Sequence, residues 1–109
     1  MISWDDFEKI DIRVGTILTA TDFPNARQAS YKLTIDFGES GIKKSSAQIT
    51  TLYLKEELMG KQVIAVVNFP PKQIANFFSE CLVLGVYNEN KEVILLQPTQ
   101  LVKNGCKIG

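Results

Sequence analysis

Few side chains in this sequence could do covalent chemistry, and their spacing is wrong for it. There is no histidine, and the two cysteines, Cys81 and Cys106, show no CxxC spacing. Neither a typical zinc site nor a disulfide framework is expected, so no metal ligand is assigned. The carboxylate pairs Asp5–Asp6 and Glu56–Glu57 sit in predicted helix turns, where adjacent residues point apart rather than converge on a substrate. No glycine-rich phosphate loop, HExxH or GxSxG motif occurs. Cys81 opens an apolar run and reads as a small core residue rather than a nucleophile. The expectation is a protein that is not an enzyme, with no catalytic residue and no cofactor.

The residues suited to binding form two rival sets. The first lies in the loop NFPPKQIANFFSE, residues 68–80, between the apolar runs KQVIAVV and CLVLGVY. Loops are usually polar, yet this one holds Phe69, Pro70, Pro71, Ile74, Phe77 and Phe78. These groups either plug the core or a partner subunit, or form pockets for an unfolded, signal-like segment. In the second case Asn68, Lys72, Gln73 and Asn76 would form a hydrogen-bonding rim. The rival set is basic. Arg13, Arg27, Lys32, Lys43, Lys44 and Lys72 could share one face, with Phe23 and Tyr31 as stacking platforms for bases. Ser45, Ser46, Gln48 and Ser79 would add bonds to phosphate or 2′-hydroxyl groups. The plainer reading of scattered cations is a solvated face.

Bulk properties favour neither set. Twelve basic and twelve acidic residues cancel, so no global field draws the chain to nucleic acid or membrane. Six local cations would still make any RNA binding salt-dependent. At 109 residues, 45% hydrophobic and 22% charged, the chain reads as one domain, 1–109, able to bury a core without disulfides. The start MISWDDFEK lacks a signal-peptide pattern, and no apolar run approaches a membrane span. A reduced, cytoplasmic protein with no membrane insertion is expected.

The elements that position these residues follow from periodicity. Residues 2–9 read as a short helix, with Ser3 as cap, Asp6 three residues on, and Ile2 and Phe7 at the staple positions. Trp4 and Phe7 share one face, which must dock on the chain's own barrel or on a second subunit. Residues 10–19 read as a strand that Gly15 interrupts with a bulge or bend. Residues 31–37 and 42–49 are the second and third strands, and 50–60 a helix stopped by Gly60. The two apolar runs, 61–67 and 81–87, read as fully buried strands. A last strand follows at 92–96, and the tail from 97 could lie along another edge. Three strands, a helix, then two strands is the order of an OB-fold, an all-β five-stranded Greek-key barrel.

Here the residues resemble a known family. DIRVGTI, then PNA with YKLTIDFG downstream, then GKQVIAVVNF and SECLVLG, are similar in order and spacing to the structure-specific tRNA-binding domain family. KSSAQIT and VVNFPPKQIANF look like its export-related chaperone branch. The resemblance implies a homodimer that binds unfolded or precursor polypeptides, without ATP, and cooperates with the Sec export machinery. In the wider family it implies tRNA binding. It also implies that residues outside the barrel, 1–10 and 97–109, make the dimer, with Trp4, Phe7, Ile10, Pro98, Leu101, Val102 and Ile108 as interface candidates. The departures fall at the site. Phe23 stands where many members have histidine, Arg27 where an acid is common, Cys81 for a glycine and Leu82 for a methionine. Ser79 and Glu80 keep the pattern.

Overall fold

The computed structural model describes residues 1–109. In chain order the elements are α1 (Trp4–Glu8), β1 (Ile12–Asp22), β2 (Tyr31–Asp36), β3 (Ile42–Ala47), α2 (Lys55–Leu58), β4 (Gln62–Val66), β5 (Lys72–Ile74), β6 (Phe77–Ser79), β7 (Leu82–Val83), β8 (Gly85–Tyr87) and β9 (Val93–Leu95). Five strands form an antiparallel sheet in the order β3-β2-β1-β4-β7. β1 is long enough to serve two partners. Its first half pairs with β4 through Ile12–Thr16 and its second with β2 through Thr16–Asp22. The sheet therefore curls into a nearly closed barrel, the OB-fold, in the all-β class.

Strict alternation on β2 sets the inside of that barrel. Tyr31, Leu33, Ile35 and the following Phe37 are buried, while Lys32, Thr34 and Asp36 face out. Ile17, Val63, Ala65, Cys81 and Leu95 complete the core with Ile49 and with Leu58 of α2. Gly15 is not the bulge that its position suggests. It stays in register opposite Val63, and the register slips instead between Ile17 and Thr19, leaving Leu18 facing solvent. Glycine is required at position 15 by crowding, because a Cβ would lie 2.6 Å from Phe37 Cδ1 and 2.7 Å from Ile35 Cγ2.

Three further expectations are corrected. The helix over 50–60 shrinks to the single turn α2, because Tyr53 is used as a strut. It accepts a bond from Tyr31 Oη on its carbonyl at 2.7 Å, and its own hydroxyl accepts from Leu95 N at 3.0 Å. The loop 68–80 is not irregular throughout: Lys72–Ile74 and Phe77–Ser79 pair as a hairpin, turning at Ala75 with φ 54°. The run 81–87 is neither one strand nor fully buried. β7 stays in the barrel, but β8 leaves it to pair with β9, and Leu82, Val86 and Tyr87 are exposed. The break falls beside Gly85, where a Cβ would collide with Val93 Cγ1 and sit 2.8 Å from Ile94 O.

The ends of the chain are tied to the barrel by side-chain amides. Ser3 and Asp6 form the reciprocal capping box, at 3.0 and 3.1 Å. The helix they cap covers 4–8 rather than 2–9 and buries none of its residues. Asn68 joins it to the barrel, accepting from Asp11 N at 2.9 Å and donating to Lys9 O at 2.8 Å. The tail does run along an edge. Gly105 N donates to Val14 O, Val14 N to Cys106 O and Ile108 N to Ile12 O. Buried Gln62 donates to Val102 O and Asn104 Oδ1 and accepts from Val102 N. No helix is long and apolar enough to cross a membrane.

Candidate binding surface

The outer face of β2 and β3 gathers part of the basic set. Lys32 stands opposite Ser46 and Thr34 opposite Lys44, so all four side chains share that face. Lys32 Nζ lies 5.2 Å from the centre of the Phe23 ring and 5.7 Å from that of Phe77, with Lys44 Nζ 5.6 Å from Phe77. The two rings meet edge to face at 5.4 Å. The ring faces hold both ammonium groups by cation–π attraction, so two positive charges stand on one small patch.

The rest of that set does not join them. Lys43 and Ser45 alternate to the inner face of β3. Ser45 is buried, and its hydroxyl donates to Cys81 O at 2.9 Å, so it is a barrel strut rather than an RNA contact. Arg13 is held by Asp11 at 2.7 Å and by Gly105 O at 3.0 Å, where it fastens the tail. Arg27 is exposed, and Gln48 lies on a different wall, described below. Phe23 and Tyr31 are buried and cannot serve as stacking platforms. Their aromatic surface reads the same from sequence whether it faces a base or the core.

The apolar loop divides in two. Phe77 and Ile74 are cross-strand partners in the hairpin, and half-buried Phe77 packs on Phe23. Phe69 and Phe78, in contrast, are 54% and 50% exposed. Phe69, Pro70 and Pro71 line a cavity of about 520 Å³ with Lys72, Ser79, Cys81 and Leu82. Gln73 folds back onto Ala75 O at 3.1 Å. Asn68 is not a rim residue, because both ends of its amide are spent on the helix tie. Cys81 lies at the back of the cavity, and burial pushes its thiol up to about 11, so it is not a nucleophile near neutrality.

A second apolar cavity of about 430 Å³ lies between the end of β3 and the β7–β9 region. Its lining includes Gln48, Ile49, Val83 and Tyr87, and it shares Leu82 with the first. The sequence concealed it, because a dense apolar run signals burial and gives no sign of where a strand will leave the barrel. Only Gly85 within the run marks the departure.

On α1 and the tail, Trp4 is 86% and Leu101 87% exposed. Ile10 and Val102 are exposed, while Phe7, Pro98 and Ile108 are half-buried. Ile2, Ser3, Trp4, Phe7 and Gly109 bound an open apolar hollow of about 530 Å³.

The family model described as "Putative tRNA binding domain" matches residues 12–107. The structure is similar to the chaperone CsaA of Picrophilus torridus, with 55% identity and a TM-score of 0.95 over the whole of both chains. It is equally similar to CsaA of Bacillus anthracis, with 51% identity and a TM-score of 0.95 over 100% of this chain and 99% of that one. The methionine–tRNA ligase of Nanoarchaeum equitans is 36% identical over 108 residues, covering 99% of this chain. The chain spans only 14% of that ligase's length. From the barrel, the near-complete model match and the likeness along both CsaA chains, this chain belongs to the tRNA-binding domain family and stands with the CsaA chaperones within it.

Proposed function

We propose that the protein is a chaperone that binds unfolded or precursor polypeptides without ATP and supports Sec-dependent export from the cytoplasm. The observation that carries this reading is the open apolar cavity bounded by Phe69, Pro70, Pro71 and Leu82, beside exposed Phe78. Folded chains rarely leave such side chains grouped in solvent without a use for them. The likeness to two CsaA chaperones along the full chain supports the same reading. Binding is non-enzymatic, and release follows from modest affinity or from handover to the export machinery.

The working unit of this proposal is a homodimer joined through α1 and the tail. Trp4, Phe7 and Ile10 would be covered with Pro98, Leu101, Val102 and Ile108, and each copy would contribute one apolar cavity. One long client could then engage both, with a gain in effective concentration.

A second reading is tRNA binding, favoured by the paired ammonium groups of Lys32 and Lys44 over Phe77 and by the family's own description. One competition titration separates the two. A fluorescently labelled unfolded polypeptide is bound at near-physiological salt and then challenged with bulk tRNA. Polypeptide binding insensitive to salt and tRNA is the outcome expected of the chaperone. Tight tRNA binding that falls steeply with salt, with little polypeptide affinity, would overturn it.

A further inference from the structure

Besides the chain itself, one hydrogen bond holds residues 1–10 to the rest of the molecule. α1 buries none of its residues. The bonds of its capping box, and those of Phe7, Lys9 and Ile10 N–H, all stay within the segment. The one that leaves it runs from Asn68 Nδ2 to the carbonyl of Lys9, the residue that ends the helix, at 2.8 Å. The other end of the same amide accepts from Asp11 N at 2.9 Å, beside the backbone bond from Val67 N to Asp11 O at 2.8 Å. A five-residue helix without packing cannot persist in water on its own, so its place on a lone chain depends on Asn68.

Asn68 is also the last anchor before the wall of the cavity proposed for clients. Phe69, Pro70 and Pro71 line that cavity. None of the three lies in a helix or strand or makes a backbone hydrogen bond, and the two prolines have no N–H to offer. The wall therefore hangs between Asn68 at one end and the β5–β6 hairpin, which begins at Lys72, at the other. Whatever fixes the backbone of Asn68 fixes the start of this wall, because Phe69 is the next residue.

We propose that Asn68 is a positioning residue that couples α1 to the cavity, so that a second copy seated on α1 and a client seated on Phe69 strengthen each other through its amide. The proposal rests on the polypeptide-binding and homodimer readings above and adds their regulation: pairing raises client affinity. Two states differ at Asn68. With α1 in place, both ends of the amide are bonded and residues 67–69 are ordered before the client arrives. With α1 frayed, the Lys9 carbonyl is gone, and a client that rests on Phe69 must order the segment itself. Each partner thus spares the other an ordering cost, and linkage makes the effect reciprocal.

The probe is a short labelled peptide of alternating leucine and serine with glutamate ends, bound at one per chain so that bridging between copies plays no part. Sedimentation gives the dimer dissociation constant with and without saturating peptide. Peptide titrations at protein concentrations below and above that constant give the affinity of the lone and of the paired chain. Pairing should tighten each site about threefold, the worth of roughly one exposed hydrogen bond. With one site on each copy the factor is squared, so saturating peptide should lower the dimer constant about tenfold. Asn68→Asp keeps the acceptor for Asp11 N and loses the donor to Lys9 O. It should bind peptide within about twofold of the parent's lone chain, yet with the same affinity at both protein concentrations. A residue that only supported the fold would lower the melting temperature and leave the linkage in place. In the parent, a dimer constant that saturating peptide does not move overturns the coupling and leaves both readings standing, whether or not the variant folds. Linkage that survives Asn68→Asp overturns the role of Asn68. If the chain binds peptide but stays monomeric, the homodimer reading falls and the coupling with it. If neither the peptide nor a long unfolded chain binds, the chaperone reading falls and takes the coupling with it.

Discussion

Phe78 decides more than its neighbours in the loop, because its ring is half in solvent while that of Phe77 packs on Phe23. Phe78→Asp should therefore weaken binding of unfolded polypeptide at least about tenfold, a fraction of what burying one phenylalanine is worth. It should leave the melting temperature within a few degrees of the parent. A binding titration and a thermal melt check both halves, and a collapse of the melt would make Phe78 a core residue. Gly15 is the converse case. Its missing Cβ makes room for Ile35 and Phe37, so Gly15→Ala should cost about 1–3 kcal/mol by overpacking, read as a lower denaturant midpoint. At this scale sequence could recognise chemistry but not address. Ser45 and Ser46 are neighbours of the same type, yet strand alternation buries one and exposes the other to the Lys44 face. Phe23 had the right chemistry for a base platform and the wrong neighbours.

Among the elements, α1 shows what local signals can and cannot specify. Ser3 and Asp6 were legible as a cap because a capping box is a contact between residues three apart in sequence. Its lower limit was not, because helix length depends on packing that α1 lacks. The Ser3 backbone and hydroxyl bonds hold the Asp6 carboxyl below its ordinary value of 3.8. A depressed carboxyl favours the folded form above its unfolded pKa and loses that contribution as pH falls through the folded one. Acidification below about 4 should thus fray α1 before the barrel unfolds, followed through Trp4 fluorescence. Asp6→Asn should flatten that acid-side change. The β2 strand was fully legible because its alternation is strict. The 81–87 run was not, because its departure from the barrel is dictated by Val93 and Ile94 on a strand read only later in the chain.

For the whole molecule, two apolar regions serve different proposals: the cavity at Phe69–Pro71 and Leu82 for clients, α1 and the tail for a second copy. Trp4→Ala should shift sedimentation from dimer toward monomer without lowering barrel stability, since Trp4 is not packed on its own barrel. An unchanged dimer would remove α1 from that interface. The OB architecture was readable from element order alone, whereas the missing ladder between β3 and β7 was not, because an unmade ladder leaves no trace in composition. The tail carries a consequence for how the molecule comes into being. The side-chain amide of Gln62 and the free edge of Ile12–Val14 find their partners in residues 102–108, which also give Arg13 its bond to Gly105 O, and which leave the ribosome after every strand of the barrel. Until then a nearly complete barrel presents a bare strand edge and an unsatisfied amide, both invitations to misassembly with a neighbouring nascent chain. A protein proposed to guard other unfinished chains is thus itself exposed to that hazard until residues 102–108 zip onto β1.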